Sequence, residues 1–108
     1  MKIKQEKKEQ KNTERERYAE ELFEIMRKIA SDKALLKEFF VDILTPAEYK
    51  EIGVRWQIVK RLAKGEPQRK IAEDLGVSIA TVTRGSRELL DKQGGFQRVL
   101  DKMETRSK

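Results

Sequence analysis

Residues 68–87 read QRKIAEDLGVSIATVTRGSR, and the chemistry that these residue types and spacings offer is recognition of DNA by a helix-turn-helix. Two short helices crossing at a steep angle need a small residue where they touch, and Ala72 supplies it. Four residues on, the chain must leave the first helix through a left-handed conformation that glycine adopts without strain, and Gly76 stands there. Ser78 then caps the second helix. Ile71, Leu75, Val77 and Val82 are spaced to close a shared apolar interior, while Ile79, Ala80, Thr81, Thr83 and Arg84 alternate around the outer surface of the second helix. That second helix is expected to enter the major groove. An ordinary αα-hairpin with a glycine cap is the simpler alternative.

Composition agrees with a nucleic-acid partner. Among 108 residues, 25 Lys plus Arg stand against 19 Asp plus Glu, a net charge of +6 that favours a phosphate-binding surface. Charged residues make up 41% and aromatics 6%, enough for one domain but little material for a deep private core, so oligomerisation is expected. Cys and His are both absent. That removes disulfides, thiolate and imidazole metal sites and the commonest acid-base and nucleophilic arrangements, so an enzyme is not expected. No apolar run approaches the length of a membrane span and the charged N-terminus lacks the apolar core of a signal peptide, which predicts a cytoplasmic protein.

The elements that must position the helix-turn-helix are read from periodicity and caps. Residues 1–12 form a basic arm, with Lys at 2, 4, 7, 8 and 11, expected to be disordered and either to touch DNA phosphate or to serve as a solvated tail. Thr13 and Glu16 form a capping box for a first helix, whose apolar face is Tyr18, Leu22, Ile25, Met26 and Ile29. Ser31 or Asp32 opens a second, with Leu35, Leu36, Phe39, Phe40 and Ile43 as a broad stripe, part of it expected to face another subunit. Thr45, Pro46 and Glu48 start a third helix ending near Gly53. Val54, Ile58, Val59 and Leu62 mark a fourth, terminated by Gly65 before Pro67 opens the first helix of the DNA-binding pair. Gly94 and Gly95 precede a last helix with Phe96, Val99, Leu100 and Met103. The chain is expected to be all-α, with six helices and no sheet.

The order LTPAE, GVRWQIVKRLAKGE, QRKIAEDLG and SIATVTRGS closely resembles the bacterial tryptophan repressors over about residues 22–103. The resemblance implies a helical domain at residues 13–104, forming a six-helix helix-turn-helix subunit of an intertwined homodimer. Such a dimer binds a palindromic operator when L-tryptophan occupies a pocket beneath each recognition helix. By the same resemblance, Arg55 and Arg84 lie on opposite faces of the ligand's indole ring. Gly85 also matches, and a glycine within a helix costs about 1 kcal/mol relative to alanine, so something is expected to approach the backbone there, as bound indole would. Ile43, Leu44 and Thr45 would come from the other subunit, to meet the ligand's ammonium with carbonyls and its carboxylate with the Thr hydroxyl. Thr45 is also a helix cap.

Two departures stand beside the pocket. Arg87 and Glu88 replace the family's Asn and Ser, and that Ser is the residue expected to meet the ammonium. Glu88 could receive the ammonium as a carboxylate, or fold back on Arg84 four residues earlier and occupy the pocket from within. For DNA, the resemblance nominates Gln68 and Arg69 on the first helix and Ile79, Ala80, Thr81 and Thr83 on the second. Specificity would lean on shape and water, as is known in this family. Ala72 stands where the family has a Lys, a lost cation for which Lys70 can compensate. The linker at Pro67 is one residue short, with Glu66 a mediocre cap. Beside the tryptophan-dependent repressor stand two alternatives: a related regulator indifferent to tryptophan, and a helical module that binds a protein through Phe39, Phe40 and Trp56.

Overall fold

The structure, a computed structural model, describes the backbone of residues 2–107 and the side chains of residues 5–104. Among these residues there are six helices and no strand: α1 (Lys2–Ile29), α2 (Lys33–Ile43), α3 (Pro46–Ala63), α4 (Gln68–Leu75), α5 (Ile79–Leu89) and α6 (Gly95–Ser107). They divide into two compact units, Met1–Thr45 and Pro46–Lys108.

In the first unit α1 is longer than its sequence signals indicate. It runs unbroken from Lys2, so residues 2–12 of the expected disordered arm are helical, while Met1 lies outside the described residues. Lys, Gln and Glu dominate this stretch and neither Gly nor Pro interrupts it, so a helix established further on meets no barrier to propagating back. Thr13 is consequently not a cap: its hydroxyl donates to the Glu9 carbonyl at 2.9 Å, inside the helix. α2 does start as read, with the Asp32 carboxylate accepting from the Leu35 N–H at 3.1 Å. The inner face of α1 is Ala19, Leu22, Met26 and Ile29, and α2 meets it with Leu36, Phe39 and Phe40, all partly buried. Tyr18 and Ile25, assigned to that face, are 64% and 40% exposed, as are Leu35 (44%) and Ile43 (51%) on α2. No described side chain of this unit is fully buried.

The second unit holds the core. Pro46 opens α3 with Glu48 in its first turn, as the cap signal indicates. The helix does not stop at Gly53, however, so the two elements expected on either side of that residue are one. Gly53 is exposed with a helical backbone, and the modest propensity penalty of a single glycine is outweighed by the burial of Ile58 and Val59 further along the same helix. Ile58, Ile71, Ala72 and Val82 form one buried cluster, with Val54, Leu62, Leu75 and Val77 packed against it. α4 leaves through Gly76 at φ 67° and ψ 36°, and the Val77 N–H closes back on the Ala72 carbonyl at 3.1 Å. Ser78 caps α5 by accepting from the Thr81 N–H at 3.2 Å. Ala72 thus faces inward at 8% exposure.

The short linker between α3 and α4 has its own anchor. Pro67 itself occupies the N-cap position of α4, with no side-chain cap bond, and the helix proper begins at Gln68. Glu66 does not cap. Its carboxylate accepts from Arg61 at 2.7 Å, and the same guanidinium reaches Asp74 of α4 at 2.6 Å. The hydrogen bond from Arg61 holds the Glu66 carboxyl below its ordinary value, and Glu66 and Asp74 together raise that of Arg61. A depressed carboxylate stabilises the fold fully at pH values above its ordinary value of 4.5, and the contribution is lost as pH falls through the folded value. Glu66→Gln is therefore expected to lower thermal stability at neutral pH, and the gap from wild type should shrink on acidification below that range. A gap that stays constant with pH in parallel melts would remove Glu66 from this role.

Among the described residues no helix is long and apolar enough to cross a membrane, and no group of three His, Cys, Asp or Glu is placed to hold a metal ion.

Candidate functional site

α3 and α5 each turn one ionic edge toward the same space. On α3, Glu51, Arg55, Ile58 and Val59 fall at the spacing of one helix face, and on α5 so do Thr81, Arg84, Gly85 and Glu88. Phe96, from the first turn of α6, completes a cavity of about 180 Å³ lined by these nine residues. Ile58 and Val59, each 1% exposed, give it an apolar floor. That volume lies below the roughly 300–1,000 Å³ of drug-sized sites and suits a ligand no larger than a single amino acid.

Four of the sequence-predicted ligand residues, Arg55, Arg84, Gly85 and Glu88, meet in this cavity. The other three, Ile43, Leu44 and Thr45, lie at the end of α2 and just beyond it, in the first unit. The ion pairing differs from expectation. Glu88 does not fold back on Arg84: among the described residues neither makes an ion pair or a side-chain hydrogen bond, although both line the cavity. The pair that does form is Arg55 with Glu51, at 2.9 Å one turn apart on α3. Both side chains are about half exposed, at 52% and 54%, and a pair of this kind contributes only about 0.3–0.5 kcal/mol, so it orients Arg55 without locking it away from a ligand.

Gly85 has a different reason for being glycine than the approach of a ligand. A Cβ there would stand 3.1 Å from Ile58 Cγ2 and 3.6 Å from Leu62 Cδ1. The close neighbour is the side of α3, and Gly85 lets the recognition helix lie against it. Glu51 and Phe96 escaped the sequence reading as cavity residues. For Glu51 the signal was its position one turn before Arg55; Phe96 reaches the cavity only through the turn at residues 90–94, which periodicity does not specify.

The residues nominated for DNA contact are set on α4 and α5. Arg69, Lys70, Ile79 and Ala80 are exposed, Ile79 by 50%. Gln68 and Thr83 are partly buried, because the Thr83 hydroxyl lies 2.9 Å from Gln68 Oε1, joining the two helices, and equally 2.9 Å from the Ile79 carbonyl. Thr81 belongs to both sets: it lines the cavity, and its hydroxyl pairs with that of Ser78 at 2.8 Å.

Residues 18–104 match the family described as Trp repressor protein. The chain is 41% identical over 68 residues to a Trp operon repressor homolog of Chlamydia trachomatis serovar L2, a match that covers 62% of this chain and 72% of that protein. It is 45% identical over 62 residues to a Trp operon repressor homolog of Haemophilus influenzae strain PittEE, covering 56% of this chain and 61% of that one. With the family match extending over most of its length and the helix-turn-helix pair in place behind α3, the chain belongs to the Trp repressor family, whose members regulate transcription and are not enzymes.

Proposed function

We propose that this protein is a homodimeric, cytoplasmic repressor that binds a two-fold operator in double-stranded DNA. In this reading L-tryptophan is the corepressor and the targets are genes of tryptophan biosynthesis or uptake. The observation that carries the reading is that α5 holds two surfaces at once. Ile79, Ala80 and Thr83 belong to the proposed DNA face, while Arg84, Gly85 and Glu88 line the cavity against α3. A ligand entering the cavity bears on the recognition helix directly.

The dimer is supported by the uncovered apolar side chains of the first unit, Tyr18, Phe23, Leu35, Val41 and Ile43, each 44–64% exposed. So much apolar surface on one small chain favours a partner of its own kind. In such a dimer the two α5 helices would sit about one turn of DNA apart, roughly 34 Å. Arg69 and Lys70 would meet phosphate or guanine, Gln68 and Thr83 would hydrogen-bond to phosphates or bases, Thr81 would lie at the groove edge, and Ile79 and Ala80 would touch thymine methyl groups. Arg84 would take the ligand carboxylate, Arg55 would lie flat on the ring, and Ile43, Leu44 and Thr45 of the partner subunit would close the pocket.

Fluorescence anisotropy with palindromic duplexes selected in the presence of L-tryptophan tests this reading. Added tryptophan is expected to tighten operator binding by about 5- to 150-fold, the usual span of coupling between two sites. In Arg84→Ala the ligand response should vanish while ligand-free binding stays close to wild type. A second reading, a repressor of the same family that ignores tryptophan, is favoured by Glu51 already occupying Arg55. Operator affinity unchanged by saturating tryptophan in the wild-type protein would select it.

A further inference from the structure

We propose that Glu51 and Glu88 make the cavity selective for a zwitterion, so that an α-amino acid with an intact ammonium group is bound and the same ring system carrying only a carboxylate is turned away. The proposal rests on the corepressor reading of the cavity and adds to it the chemical feature by which the ligand is chosen. The cavity lining contains two guanidinium groups, Arg55 and Arg84, and two carboxylates, Glu51 and Glu88. One of each is already matched, Arg55 with Glu51 at 2.9 Å. The other two stand four residues apart on α5, line the same cavity and, among the described residues, have no ionic or hydrogen-bonding partner. One unmatched cation and one unmatched anion facing a single small cavity are the electrostatic complement of a zwitterion.

Each charge then has a distinct task. Arg84 holds the carboxylate, and Glu88 receives the ammonium in a charge-assisted hydrogen bond. Glu51 is a positioning residue. By engaging Arg55 through its terminal nitrogen it leaves the flat face of that guanidinium for the ring, and by matching its charge it directs the ligand carboxylate to Arg84 instead. Phe96, Ile58 and Val59 supply the apolar wall that the ring requires. A ligand without the ammonium leaves Glu88 unmatched beside a second negative charge, which is a repulsive element built against the wrong ligand.

The experiment is isothermal titration of three indole compounds into the full-length protein and its Glu88→Gln and Glu51→Gln variants, each first shown by circular dichroism to be folded. The probes are L-tryptophan, indole-3-propionate, which lacks the amine, and tryptamine, which lacks the carboxylate. Wild type is expected to bind tryptophan at least about tenfold more tightly than indole-3-propionate, a difference of about 1.4 kcal/mol. Glu88→Gln should close that gap from both sides and weaken tryptamine. Glu51→Gln should strengthen indole-3-propionate, because Arg55 is released to take its carboxylate. Equal binding of the two carboxylates by wild type, or a ratio that Glu88→Gln leaves unchanged, would overturn the selectivity while leaving the corepressor site standing. Tryptophan binding seen only in Glu88→Gln would overturn it as well, since the carboxylate would then bar the ligand. If no probe binds any of the three proteins, the corepressor reading falls and the selectivity with it.

Discussion

Ile71→Ala is expected to destabilise the protein by about 2–5 kcal/mol, a large fraction of the stability of a domain this size. Ile71 is 0% exposed and belongs to the single buried cluster shared by α3, α4 and α5. Only five side chains in the described chain are fully buried, so no second core can compensate for the cavity that truncation leaves. Urea unfolding followed by circular dichroism, at one fixed protein concentration to remove the mass-action effect of oligomerisation, measures the loss. Leu90→Ala is the control: Leu90 is 78% exposed, and a change within about 0.5 kcal/mol is expected there. A loss at Ile71 no larger than that at Leu90 would mean that the helix-turn-helix is not held by this cluster. Operator binding should fall in parallel at temperatures where the variant begins to unfold.

Gly85→Val should damage stability and ligand binding together. The new Cβ would already stand 3.1 Å from Ile58 Cγ2, and Ile58 is 1% exposed, so it has no free space into which to retreat. Two further methyl groups must force α5 away from α3, and overpacking of this kind costs about 1–3 kcal/mol. Because Gly85 also lines the cavity, the heat of tryptophan binding is expected to disappear even where the variant remains folded. Titration at a temperature below its unfolding transition separates the two effects. Unchanged tryptophan affinity in a folded Gly85→Val protein would move the ligand site elsewhere.

Much of this was legible in the sequence because the informative constraints are local. Gly76, Ser78, Ala72 and the apolar positions around them act within a few residues of one another, and each has a conformational reason that a one-dimensional pattern preserves. The reading failed where distance along the chain decided the outcome. Arg61 meets Asp74 thirteen residues away, and no periodicity predicts which carboxylate a long flexible side chain will choose. Gly53 offered a break that tertiary burial of Ile58 and Val59 overrode, while Thr13 offered a cap that a helix begun at Lys2 made redundant. Gly85 was read as making room for a ligand when the space belongs to Ile58, because a sequence marks a close approach without naming what approaches. The pairing of Arg55 with Glu51 was open to inspection four residues apart, but helical spacing equally allowed Glu88 with Arg84, and only the packed helices distinguish the pair that forms.

The interleaving of the two residue sets on α5 has a consequence for how such a regulator can diversify. Positions 79, 80 and 83 can be exchanged without touching positions 84, 85 and 88, so a lineage can retarget its binding sites in the genome while keeping the metabolite that it senses, or exchange the metabolite and keep its targets. Thr81 is the one position where those histories are bound together: it lines the cavity, caps its own helix through Ser78 and stands among the residues proposed to face DNA. A substitution there cannot be neutral for one task and adaptive for the other.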